Sequence, residues 1–133
     1  MTSTETPMQA LVVVEDDPDV QFLIESIFST DPRFNAADVA ESAEAALEWS
    51  ARTVGPGVIV LDHGLAGSLT GLDAAQRLKD LAPNAKIVLF TAHAELKARA
   101  DAEPAIDAFL LKTDSTRLLP LAQRLTGLGS LPT

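Results

Sequence analysis

Val58-Ile59-Val60-Leu61-Asp62 is an unbroken apolar run that ends in a carboxylate. Gly55, Pro56 and Gly57 punctuate its entry, and His63, Gly64, Gly67, Ser68 and Thr70 turn its exit into a loop. A short continuous apolar run between turn residues describes a strand buried on both faces, as in a parallel sheet. The polar residue ending such a strand lies at the carboxyl edge of the sheet, where open α/β folds place their sites. Asp62 is therefore a candidate for chemistry. The alternative is that it only opens a turn, as Asp commonly does.

Working outward, Ala10-Leu11-Val12-Val13-Val14 is a second β-branched run, followed by Glu15-Asp16-Asp17. Pro18 suits the first turn of a helix, and Asp17 suits its N-cap better than it suits a metal. Val20, Leu23, Ile24, Ile27 and Phe28 give that helix an apolar stripe, and Asp31-Pro32 ends it. Phe34–Ala40 reads as a weaker strand. Ser42 caps a helix from Ala43 to about Thr53, with Ala43, Ala46, Leu47 and Val54 inward. Thr70 or Gly71 opens a third helix to about Ala82, turning Leu72, Ala75, Leu78 and Leu81 or Ala82 to the core.

Lys86–Phe90 is a fourth strand, ending in Thr91. Ala94–Ala102 is a short alanine-rich helix with little apolar stripe. Ala105–Leu111 is the last strand, and Lys112 ends it. Leu118, Leu121, Ala122, Leu125 and Leu128 face the final helix inward. Pro120 predicts a kink or a late start there, since an interior proline costs ~3 kcal/mol.

Five strands alternating with five helices predict an α/β sandwich of three layers, with one parallel five-stranded sheet and every carboxyl end on one edge. The default order for this count is 2-1-3-4-5, the flavodoxin-like (βα)5 arrangement.

The bulk numbers fit one domain. The chain has 133 residues, 47% of them hydrophobic, enough for a core. Residues 10–128 form the expected domain, with 1–9 and 129–133 as flexible tails. No cysteine is present, so disulfides and thiolate metal sites are excluded. No apolar run approaches the roughly 20 residues a membrane span needs, and Met1–Gln9 resembles no secretory signal; a cytoplasmic location fits. The net charge of −9 and the scattered Lys and Arg argue against direct nucleic-acid binding. The residues after Lys112 suffice for one helix and a tail, leaving no room there for a DNA-binding or catalytic domain.

Parallel strands bring the residues just past strands 1, 3, 4 and 5 together: Glu15-Asp16-Asp17, Asp62, Thr91 and Lys112. One polar group ending an apolar strand would be a turn residue; four gathered ends make a site. Clustered carboxylates repel and need a cation, and an all-oxygen set suits Mg²⁺, which in turn recruits phosphate. Asp62 could then attack a phosphoryl group as a nucleophile. Lys112 would neutralise its oxygens and Thr91 would hydrogen-bond one. No GxxxxGK[ST] loop is present, so this is not a P-loop site. Lys112 as a plain strand terminator is the competing reading.

VVVEDDPDV after strand 1, VIVLD at strand 3, VLFTAH at strand 4 and FLLK at strand 5, in this order and spacing, resemble the receiver domain of two-component response regulators over residues 10–128. The resemblance implies that Asp62 accepts phosphate from a phosphohistidine. It makes Asp16 a direct Mg²⁺ ligand, Glu15 a helper through water, and the Gly64 carbonyl the third protein ligand. Thr91 becomes the switch hydroxyl, Lys112 the phosphoryl-contacting lysine, and Phe109 the rotating aromatic, though a strand aromatic is equally ordinary core. It further implies a sensor histidine kinase or histidine phosphotransfer protein as donor. The partner-binding face would be helix 4, strand 5 and helix 5, shifted by phosphorylation, and a homodimer through that face is compatible with the role.

Several positions depart from the family pattern. The loop after Asp62 is one residue longer, with Ala66 where proline is frequent. Thr113 stands where proline usually follows the lysine, which leaves the conformation of the Lys112–Thr113 peptide open. Gly64 offers no side chain beside the phosphoryl group and leaves it open to water. His93, two after Thr91, reads as a surface residue or as a group tuning hydrolysis. Two other functions compete. An aspartate-nucleophile phosphatase of the haloacid dehalogenase type would need an acid two residues after Asp62, where Gly64 stands. A degenerate docking receiver would not need Asp16, Thr91 and Lys112. The expected activity is a self-phosphorylating switch with at most autophosphatase turnover.

Overall fold

The computed structural model describes residues 9–52, 57–65 and 67–130. The expectations for the tails at 1–8 and 131–133, for Thr53, Val54, Gly55 and Pro56, and for Ala66 lie outside the described residues. The chain runs β1 (Gln9–Val14), α1 (Pro18–Phe28), β2 (Phe34–Ala40), α2 (Ala43–Arg52), β3 (Val58–Leu61), α3 (Gly71–Leu81) and β4 (Lys86–Thr91). A 3-10 turn (Ala94–Leu96), α4 (Lys97–Asp101), β5 (Ala108–Leu111), a second 3-10 turn (Lys112–Arg117) and α5 (Leu118–Leu125) follow.

The five strands are all parallel and lie in the order β2-β1-β3-β4-β5, the predicted flavodoxin-like arrangement. Side chains alternate between the faces of a strand, so β1 and β3 feed two cores at once. Val12, Val14, Ile59 and Leu61 meet α2, α3 and α4 on one face, among small residues such as Ala43, Ala75 and Ala100. Leu11, Val13, Val58 and Val60 meet α1 and α5 on the other, with Ile24, Phe28 and Leu118. All four β3 residues are buried, as a central parallel strand requires.

The caps fall where the sequence places them. Asp17 Oδ1 accepts from Asp19 N at 2.9 Å and Pro18 starts α1. Ser42 Oγ accepts from Ala45 N at 3.1 Å at the head of α2. Thr70 and Asp73 form a reciprocal capping box at α3. Pro120 is accommodated by a late start: α5 begins at Leu118, so the proline sits in the first turn, where the missing N–H costs nothing.

Three expectations are corrected. Gln9, assigned to the tail, opens β1 and donates its N–H to Arg33 O. Leu23 is 39% exposed, because α1 needs only a narrow stripe against the sheet. Of the pair Leu81 or Ala82, it is Ala82 that is buried. Ala105–Asp107 is not strand. Its backbone turns, with Ile106 N bonded to Glu103 O, and the Asp107 carboxylate takes Ile87 N at 2.8 Å. The same carboxylate takes Lys79 Nζ, tying α3 to the sheet edge.

Candidate functional site

The strand ends do converge. Asp62 N donates to Val14 O at 3.0 Å, which sets the end of β3 beside the end of β1. Glu15 N donates to Ala40 O at 2.9 Å, which ties the first acid to β2. Oxygen atoms of Glu15, Asp16 and Asp62 lie within 4.8 Å of one another. Lys112 Nζ stands 2.8 Å from Glu15 Oε1 and 3.0 Å from Asp62 Oδ2. Thr91 pairs with Leu111 across β4 and β5, so its buried hydroxyl ends the strand beside the one that delivers Lys112. Gly64 is exposed in the loop past Asp62, with open space where a side chain would be. Phe109, half-buried on β5, packs against the α2/α3/α4 core and is not part of the cluster. Asp17 caps its helix and stands outside the carboxylate cluster.

The electrostatics are those of three acids sharing one base. Glu15 is 1% exposed, and this desolvation pushes its pKa up, with the Asp62 charge adding to the push and Lys112 and Asp17 N–H opposing it. Burial disfavours the Lys112 ammonium as well, but its contacts with Glu15 and Asp62 outweigh that and hold its pKa above the usual lysine value. Glu15 Oε1 is buried with the Lys112 ammonium as its ionic neighbour at 2.8 Å. One ammonium cannot balance three carboxylates, and the surplus negative charge of an all-oxygen cluster fits a hard divalent cation. The peptide between Lys112 and Thr113 is trans, as are all described peptide bonds.

Two contributors were not evident in the sequence. Gly71 N donates to His63 O at 3.0 Å, and a Cβ at Gly71 would overlap the Asp62 carbonyl oxygen. The glycine therefore lets α3 lie directly on the backbone of Asp62. The only sequence signal was its place next to the capping Thr70. His63 N donates to Asp62 Oδ1 at 2.8 Å and fixes that carboxylate's rotamer. Its ring lies partly buried, with Nδ1 unpartnered and its pKa lowered, chiefly by desolvation. His93 is a surface residue, 3.3 Å from Glu95.

A family profile for the response regulator receiver domain matches residues 11–123. The chain belongs to the receiver family. Receivers act in two-component signalling, bind Mg²⁺ at an acidic pocket, and interact with histidine kinases or phosphotransfer proteins. No curated protein matches the chain. Among solved structures, the response regulatory domain of protein mrkE from Klebsiella pneumoniae is similar at a TM-score of 0.78 and 22% identity, over 90% of this chain and 96% of that one. A LuxR-family response regulator from Aurantimonas is similar at 0.77 and 22%, over 93% and 89%. The response regulator TrrA from Thermotoga maritima, solved in complex with Mg²⁺-BeF, is similar at 0.75 and 25%, over 89% and 99%. No helix among the described residues of this receiver is long and apolar enough to cross a membrane.

Proposed function

We propose that this receiver, over residues 10–128, is a phosphoacceptor switch in which Asp62 takes a phosphoryl group from a phosphohistidine. The observation that carries the reading is Lys112 held between Glu15 and Asp62, with Asp16 beside them. Asp62 is 7% exposed, near enough to solvent to meet a donor. One Asp62 oxygen attacks phosphorus, the P–N bond breaks, and the donor imidazole leaves with its electron pair and takes a proton from solvent. Lys112 loses part of its partner and neutralises a phosphoryl oxygen instead. Asp16, Asp62 and the Gly64 carbonyl would hold Mg²⁺, with Glu15 acting through water. The ion would supply positive charge against the phosphoryl oxygens.

Thr91 and Phe109 would relay the change. A hydroxyl drawn toward the new dianion leaves space behind it, and Phe109 on the neighbouring strand would fill it. The α4–β5–α5 face then shifts population between two packings. The donor would be a sensor histidine kinase or histidine phosphotransfer protein, the output a downstream protein target, and the setting the cytoplasm. Gly64 stands where an aspartate phosphatase would need its general acid, so a persistent acyl phosphate is favoured over turnover.

The test is intact-mass measurement after a small phosphodonor and Mg²⁺. The expected result is one added phosphoryl group on the wild type and none on Asp62→Asn. Equal labelling of both would end the assignment of Asp62.

A further inference from the structure

Asp16 stands between two peptide planes, and both are pinned. Glu15 O, on the first plane, accepts from Gln21 Nε2 at 2.6 Å. Asp17 N, on the second, donates to Glu15 Oε2 at 3.1 Å. A peptide unit is rigid and planar, so a residue's direction is set by the two torsions that join its flanking planes. With a plane fixed on either side, the Asp16 side chain has one direction in which to leave the chain. Asp16 depends on this more than its neighbours do. It is exposed, and among the described residues no hydrogen bond or ion pair holds its carboxylate. Yet one of its oxygens lies within 4.8 Å of oxygens of Glu15 and Asp62. The backbone therefore aims it.

Gln21, half-buried at the end of the first turn of α1, supplies the brace. Its backbone N–H donates to Asp17 O at 2.9 Å while its side chain reaches back to Glu15 O. One residue thus ties both sides of Asp16 to a helix that is itself anchored in the core through Ile24 and Phe28. The carboxamide is a neutral donor. It satisfies the carbonyl without bringing a second cation to compete with a metal for the three acids.

We propose that Gln21 is a positioning residue of the phosphoacceptor site: its carboxamide locks the Glu15–Asp16 peptide so that the Asp16 carboxylate is preset to meet a divalent cation beside Asp62. The proposal rests on the reading of Asp16 as a metal ligand.

The test follows backbone amide resonances of the full chain during Mg²⁺ titration, with melting curves as a folding check. It compares the wild type with Gln21→Met, Gln21→Asn, Asp16→Asn and the double variant Asp16→Asn/Gln21→Met. Methionine matches glutamine in length, suits a helix and leaves the charge unchanged. Asparagine keeps the amide but falls one methylene short of Glu15 O. Each Gln21 variant is expected to weaken Mg²⁺ binding about tenfold, the low end of the scale for losing a group that orients a metal ligand. In the Asp16→Asn background, Gln21→Met should cost no further affinity, because the two act through one group. Before any Mg²⁺ is added, Gln21→Met should already displace the Asp16 amide resonance, since that N–H shares its peptide with the Glu15 carbonyl. Unchanged Mg²⁺ affinity in folded Gln21→Met, an equal loss in both backgrounds, or an unmoved Asp16 amide overturns the proposal and leaves the phosphoacceptor reading standing. An Asp16→Asn variant that binds Mg²⁺ as tightly as the wild type overturns the metal reading of Asp16, and the role of Gln21 with it.

Discussion

Lys112 Nζ is held between Glu15 Oε1 at 2.8 Å and Asp62 Oδ2 at 3.0 Å, so a single ammonium from the end of β5 bridges acids from the ends of β1 and β3. The bridge joins the ends of three strands and reaches across a fourth, since β4 lies between β3 and β5. It keeps repelling carboxylates together, and it can be redirected when a stronger anion arrives.

Lys112→Met should therefore do two separable things. With the bridge gone, the acids repel, and the metal-free protein should lose about 1–3 kcal/mol, less than a fully buried pair because the lysine is 22% exposed. Added Mg²⁺ should recover more of the melting temperature in the variant than in the wild type. Calorimetry with and without Mg²⁺ checks this.

Glu15→Gln should move stability and metal affinity in opposite directions. Burial raises the Glu15 pKa, so its ionised form opposes folding at neutral pH, and a neutral isostere removes that opposition. The metal-free variant should melt no lower than the wild type. Its Mg²⁺ affinity should fall about 10- to 100-fold, the scale for losing a group that supports a metal through water. Titration calorimetry and thermal melts read the two effects independently.

Gly71→Ala should damage the site without touching a charged group. The new methyl would overlap the Asp62 carbonyl, and relieving it moves either α3 or Asp62. Overpacking of this kind costs about 1–3 kcal/mol. The phosphoryl-transfer rate should fall in protein that remains folded by circular dichroism. Ala45→Gly, at an exposed helical position, is the control for backbone flexibility.

Acid should loosen the opposite end of the molecule. Hydrogen bonds from the Arg33 guanidinium, outweighing burial and helped by Gln123, lower the Asp31 pKa from 3.8 to about 2. A depressed folded-state value means stability that is present above about pH 4 and lost as pH falls toward 2. Asp31→Asn should flatten this part of the profile and cost about 1–3 kcal/mol at neutral pH. Denaturant melts across pH 2–5 give both.

Most of the site was legible because its residues end apolar strands, and a parallel sheet assigns all such ends to one edge. Asp62, Glu15, Asp16 and Lys112 needed only that rule. Gly71 was not legible as a site residue, since its tight approach to Asp62 depends on how α3 sits on the sheet. Asp31 looked like a helix stop beside Pro32. Its buried bonds to Arg33 and Gln123 involve a partner 92 positions away, which no local pattern encodes. β5 was read too long because Ala105 and Ile106 are apolar, whereas the side chain of Asp107 occupies the pairing position there.

The Asp31–Arg33–Gln123 clamp also decides how α5 can move. Gln123 Nε2 donates to Asp31 Oδ2 at 3.0 Å, and Arg33 donates to the carbonyls of Leu128 and Gly129 just beyond the helix. The helix is moored at both ends, by this clamp at its far end and by Leu118, fully buried in the core with Ile24 and Phe28, at its near end. Loosening the clamp in acid would therefore free the tail beyond Gln123 while Leu118 still holds the first turn in place.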